Sequence, residues 1–120
     1  DSLAMAIRGI RGATTVNSNT RAEILSSAKE LLVSIIKANR IKLPSIASVI
    51  FSVTSDLNAE FPAAAARELG WNDTPLLCTY EIAVPKSLPK CLRVLLHVNT
   101  GKKQHEMKHV YLKEARSLRR

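Results

Sequence analysis

Residues 20–39, TRAEILSSAKELLVSIIKAN, constrain the fold more than any other stretch of the chain. Thr20 and Glu23 stand at capping-box spacing. The threonine hydroxyl accepts from the third helical amide, and the glutamate reaches back to the threonine N–H. Apolar residues follow at 24, 25, 28, 31, 32, 35 and 36, the stripe of an amphipathic helix. Lys29, Glu30, Ser34 and Lys37 fall off it. Such a helix owes most of its stability to whatever covers the stripe. The remaining long apolar runs are rich in β-branched residues, so the cover is a sheet.

The runs are MAIRGIR (5–11), IASVIFSVT (46–54), TPLLCTYEIAV (74–84) and residues 90–98. GATTVNSNT, after the first, reads as a loop with Gly12 in a left-handed conformation. Pro62 opens a short helix, the alanines propagate it and Gly70 ends it. PKSLP (85–89) is a loop and NTGKK a turn. HEMKHVYL reads as one helical turn followed by a strand. The order β-α-β-α-β-β-(α/β) predicts an α+β fold: one mixed β-sheet of about five strands with one long and one short helix on one face. At 120 residues the chain is a single domain, 1–120. Only Phe51, Phe61, Trp71, Tyr80 and Tyr111 are aromatic, so the core is Ile, Leu, Val and Ala. The second sheet face then needs a cover, which a homo-oligomer supplies.

The formal charge is +8 and the pI about 9.9. That balance suits an anionic partner: nucleic acid, an acidic membrane or a small polyanion. The basic residues near the C-terminus are interspersed with apolar and acidic ones, so they form no polybasic tail. We expect no nucleic-acid and no membrane partner. Cys78 and Cys91 lie in apolar runs without a CxxC, which fits free thiols in a reducing cytoplasm. DSLAM lacks the apolar run of a leader. Met5 is expected as the natural start, with residues 1–4 an expression remnant.

The usual catalytic toolkits are missing: the sequence has no GxSxG, HExxH, Walker A or GxGxxG. His105 and His109 are spaced to share a helix face, but without Asp, Cys or Glu in register no metal is expected. Attention falls on CLRVLLHV (91–98). Side chains two apart share a strand face. Leu92, Val94, Leu96 and Val98 make one aliphatic face; Cys91, Arg93, Leu95 and His97 make the other. Arg93 needs an anion, because a lone buried guanidinium is too costly. Glu81, the one charge in LLCTYEIAV, is the natural candidate. The two form either a structural salt bridge or the flanks of a ligand. Of Arg8 and Arg11, three apart, at most one joins Arg93. Arginines, one glutamate, a tyrosine and no nucleophile suit a reaction that needs only positioning and electrostatic stabilisation.

Four segments in order along nearly the whole chain carry a resemblance. They are IRGIRGATTV (7–16), SVTSDLNAEFPAAAARELGW (52–71), LLCTYEIAV with CLRVLLHVNT (76–84 and 91–100), and HVYLKEARSLR (109–119). Together with the Glu81-x11-Arg93 spacing, they make the chain similar to the AroH-type monofunctional chorismate mutases. The resemblance implies a trimeric pseudo-α/β-barrel and the pericyclic conversion of chorismate to prephenate, without cofactor or metal. It implies that Arg93 faces the ether oxygen and a carboxylate, Glu81 the ring hydroxyl and the positive side, and that Arg11 holds the reactive conformer. It implies that Tyr111 binds a side-chain carboxylate and that Cys78 contacts the ring hydroxyl through its main chain. Phe61, Ala63, Arg67, Leu76 and Leu77 then form the pocket wall, and Leu118 with Arg119 the cover from a short tail (116–120). Residues from neighbouring subunits would share each pocket. Ala64 departs from the family, where lysine is frequent, and one residue is missing near Gly70.

Overall fold

A computed structural model describes residues 5–119. Thr20 caps the long helix as its spacing predicts: its Oγ1 accepts the Glu23 N–H at 3.2 Å, and helix α1 runs Arg21–Asn39. The box does not close from the other side. The Thr20 N–H is already taken by the Ser18 carbonyl at 2.9 Å, so Glu23 has no amide to receive. The stripe is buried from Ile24 to Ile35, with Ile36 packed at its margin.

The cover is a five-stranded mixed sheet in the order β3-β2-β4-β1-β5. Its strands are β1 (Ala6–Thr15), β2 (Ile46–Val53), β3 (Leu76–Tyr80), β4 (Cys91–Thr100) and β5 (Val110–Tyr111). β4 lies antiparallel between β1 and β2, while β3 and β5 are parallel edge strands. The short helix α2 (Ala63–Glu68) follows Pro62, and Gly70 beyond it adopts φ +90°. Arg21 bridges Glu60 and Glu68 at 2.9 and 3.3 Å, tying α1 to α2. Leu31, Leu32 and Ile35 of α1 and Ala65 and Ala66 of α2 join Ile10, Phe51, Leu92 and Leu96 in one core.

Three strands differ from the sequence reading by more than one residue. The first strand does not end at Arg11; it runs to Thr15, and Gly12 is an ordinary strand residue there. The glycine is needed for space instead. A Cβ on it would stand 2.6 Å from Ile35 Cδ1 and 3.1 Å from Leu31 Cδ1 and Val94 Cγ2. Helix and sheet meet so closely here that a side chain would have to displace the buried ends of Ile35, Leu31 and Val94. Gly12→Val is therefore expected to destabilise the fold by about 1–3 kcal/mol through overpacking, read by urea unfolding at one protein concentration. An unchanged midpoint would overturn the close-approach argument. The third strand is shorter than 74–84, ending at Tyr80, and the fourth is longer, reaching Thr100. Pairing with β2 limits the one, and pairing with the whole length of β1 extends the other. The C-terminal segment has its turn (Gln104–Glu106) and its strand, as expected, and adds a 3-10 stretch over Lys113–Leu118. Residues 1–4, including the proposed remnant, and Arg120 lie outside the described residues.

Helices occupy one sheet face. The other presents Ile7, Leu77 and Leu95 to solvent, the first two about 60% exposed (59% and 61%). No helix among the described residues is long and apolar enough to cross a membrane.

Candidate functional site

Alternation along β4 holds in three dimensions. Leu92, Val94, Leu96 and Val98 are buried against the helices, and Arg93, Leu95 and His97 point to the open face. Register then selects the neighbours. Arg93 stands opposite Ala13 on β1 and Ser52 on β2; Leu95 stands opposite Arg11 and Ile50. Arg11 thus shares the face of Arg93. Arg8 pairs with Val98 instead and donates its Nε to the Lys102 carbonyl at 2.9 Å, away from the site. On the other side of β1, Tyr111 pairs with Ala13.

Glu81 follows β3 by one residue. Its N–H still donates to the Val53 carbonyl at 2.9 Å, so the chain stays extended and the carboxylate reaches the open face. Glu81 Oε1 lies 3.7 Å from Arg93 Nε. That is an ion pair, too long to be a hydrogen bond. The start of β4 is fixed by a polar knot. Thr54 Oγ1 donates to Asp56 Oδ1 at 2.5 Å and accepts the Cys91 N–H at 3.0 Å, while Asp56 Oδ2 accepts the Lys90 N–H at 2.9 Å. Arg93 is two residues beyond this anchor.

Arg11, Glu81, Arg93, Tyr111 and Leu118 line one cleft of about 460 Å³, within the usual size of a small-molecule site. Two guanidiniums face a single carboxylate there, and among the described residues no carboxylate pairs with Arg11. The cleft is built for an anion. Sequence reasoning missed Ala13, Ile50 and Ser52, which floor it. The signal was available in IASVIFSV, where Ser48, Ile50 and Ser52 alternate with the apolar core residues.

The remaining candidates lie elsewhere. Leu77 is on the open face, opposite Ile50 but beyond the cleft lining. Leu76 and Ala63 pack against the core. Phe61 and Cys78 line a second hollow between the loop that precedes α2 and strand β3. Phe61 is 71% exposed, although its loop is well held: Asn19 Oδ1 accepts the N–H groups of Asn58 and Ala59, both at 3.0 Å. Arg67 is tied to the carbonyls of Trp71 and Asn72. Arg119 is exposed just past the 3-10 stretch.

Neither thiol is an activated nucleophile. Burial pushes both Cys78 and Cys91 above the ordinary thiol range, and for Cys91 the nearby Arg93 only partly opposes this. Both are free cysteines. His105 and His109 do not share a helix, because the turn ends at Glu106. His109 lies beside Arg11, and burial with the Arg11 charge holds its imidazole below the ordinary histidine range.

The chorismate mutase type I family model matches residues 7–120. The chain is 47% identical over 116 residues to chorismate mutase AroH of Bacillus subtilis (strain 168), covering 96% of this chain and 91% of that protein. It is 47% identical over 114 residues to chorismate mutase AroH of Thermus thermophilus, covering 94% and 93%. A solved chorismate mutase from Clostridium thermocellum superposes with a TM-score of 0.90 at 50% identity, over 91% of this chain and 97% of that one.

Proposed function

The chain belongs to the chorismate mutase type I family, and we propose from that premise how its cleft isomerises chorismate to prephenate. The reaction is a [3,3] rearrangement in which one C–O bond breaks as one C–C bond forms. No proton moves and no covalent intermediate is needed. Negative charge grows on the ether oxygen and positive charge on the ring. Preorganised charges aimed at those two positions lower the barrier, because they need no reorganisation as the reaction proceeds.

Arg93 supplies the positive charge at the ether oxygen and Glu81 the negative charge across the ring. Arg11 and Tyr111 hold the substrate carboxylates and so enforce the compact reactive conformer. Leu118 closes the cleft mouth. The observation that carries this reading is the convergence of Arg11, Glu81, Arg93 and Tyr111 on one cleft, where Arg93 and Glu81 form a loose ion pair at 3.7 Å.

The working unit in this reading is a homotrimer, a pseudo-α/β-barrel with sites between subunits. Two features support it. The open sheet face exposes Ile7, Leu77 and Leu95. Phe61, Ala63, Arg67 and Cys78 lie off the cleft of their own chain, so they complete the pocket of a neighbour. The excess of basic residues steers dianionic chorismate toward these sites. Two free thiols suit a reducing cytoplasm.

The test is to mix purified protein with chorismate, follow its ultraviolet absorbance and identify prephenate chromatographically. A rate no greater than that of chorismate alone would overturn the reading.

A further inference from the structure

Two site residues, Arg11 and Tyr111, come from the weakest part of the sheet. β5 has two residues, and its ladder with β1 covers only Gly12–Val110 and Ala13–Tyr111. A strand of that length does not hold itself in place. Side chains do the work of the missing ladder. Gln104 acts as a backbone surrogate for Gly9: its Oε1 accepts the Gly9 N–H at 2.9 Å and its Nε2 donates to the Gly9 carbonyl at 2.6 Å. The buried Asn39 of α1 does the same for Lys108, accepting its N–H at 2.8 Å and donating to its carbonyl at 2.9 Å. One residue past the second clip, His109 Nδ1 accepts the N–H of Arg11 at 2.9 Å. Beyond β5, the Leu112 N–H donates to the Ala13 carbonyl at 2.9 Å.

The His109 bond differs from the others. It joins the backbone of one substrate-holding residue to the segment that carries another, since Tyr111 is two residues on. A backbone N–H can only donate, so Nδ1 must be unprotonated and the ring proton sits on Nε2. Protonating Nδ1 would set two donors against each other.

We infer that His109 is a positioning residue: its neutral imidazole fixes Arg11 and Tyr111 relative to each other through the Arg11 N–H. This rests on the proposed chorismate site. The charges around the ring favour the neutral form. Partial desolvation acts most on His109 and the Arg11 guanidinium on β1 adds to it; together they hold the imidazole below the ordinary histidine range. The sign follows. The bond persists at neutral pH and below the ordinary histidine pKa of about 6.5, and it is lost as pH falls through the lowered native value.

The test compares the wild-type enzyme with His109→Asn and His109→Leu. Asparagine presents an acceptor near the Nδ1 position and does not titrate; leucine fills the space without an acceptor. His109→Leu is expected to lose about 5- to 100-fold in kcat/KM, the scale for orphaning one amide donor, mostly through KM. His109→Asn is expected to recover most of that. The wild type should show an acid limb in kcat/KM that the Asn variant lacks. In ¹⁵N spectra the Arg11 amide should shift with pH in the wild type and stay fixed in the Asn variant. An Arg11 amide insensitive to pH and to the Leu variant would overturn the inference, as would a Leu variant with wild-type kcat/KM. The amide readout needs no turnover, so a wild type inactive on chorismate would sink the site assignment and leave this inference to be decided by the spectra alone.

Discussion

Replacing Arg93 by citrulline is expected to lower kcat by about 10²–10³-fold, the scale found for removing one transition-state donor. Citrulline keeps the length, planarity and most of the hydrogen-bonding outline of arginine, and loses the charge. The sequence makes the experiment practical, because Cys91 lies two residues before Arg93. A synthetic fragment beginning at Cys91 can be ligated to residues 1–90. The effect should fall on kcat more than on KM, since at the ether oxygen the charge is used where negative charge develops. Arg93→Lys restores a charge but not the planar fork, so it should recover only a small part of the loss. A compact ammonium on a flexible stem presents its charge at a different point from the guanidinium. A citrulline variant with wild-type kcat would overturn the electrostatic account, whatever its KM.

Much of this arrangement was legible in the sequence because it follows from a period of two. Arg93 could be put off the aliphatic face, and Arg8 and Arg11 on opposite faces, from alternation alone, while Glu81 stood out as the one charge in its run. Which arginine joined Arg93 was not legible. That depends on the β1–β4 register, which places Arg11 beside Leu95 and Arg8 beside Val98. Gly12 was misread for a related reason. Local rules for glycine suggest a turn, while the actual demand is a helix packed against the strand, a contact between residues more than eighteen positions apart. His109 was weighed only as a metal ligand. Its partner is a backbone amide ninety-eight residues away, and backbone partners leave no mark in residue types. The family resemblance added what periodicity could not: it named the ligand and drew Phe61, Arg67 and Cys78 toward a pocket that their own chain does not build around them.

Glu81→Ala decides between the two readings that alternation left open, because their magnitudes differ. Glu81 and Arg93 have side chains 26% and 45% exposed, and their closest approach is 3.7 Å. A pair that open contributes at most about 1 kcal/mol to stability. If the pair were only structural, removing it would shift the unfolding midpoint slightly, and any loss of activity would be of the same few-fold size. If Glu81 faces the positive side of the rearranging ring, its loss should lower kcat by about 10²-fold, well beyond that structural ceiling. The expected result is therefore a large fall in kcat with subunit assembly and unfolding midpoint nearly unchanged, measured by sedimentation and urea titration alongside turnover. Glu81→Gln separates the two tasks given to the carboxylate. The amide oxygen still accepts from the ring hydroxyl, so substrate binding should survive, while the charge that favours the transition state is gone. KM close to wild type with kcat still depressed fits that division. Disassembly in step with lost activity in both variants would instead make Glu81 a structural partner of Arg93 and leave the positive side of the ring without a protein charge.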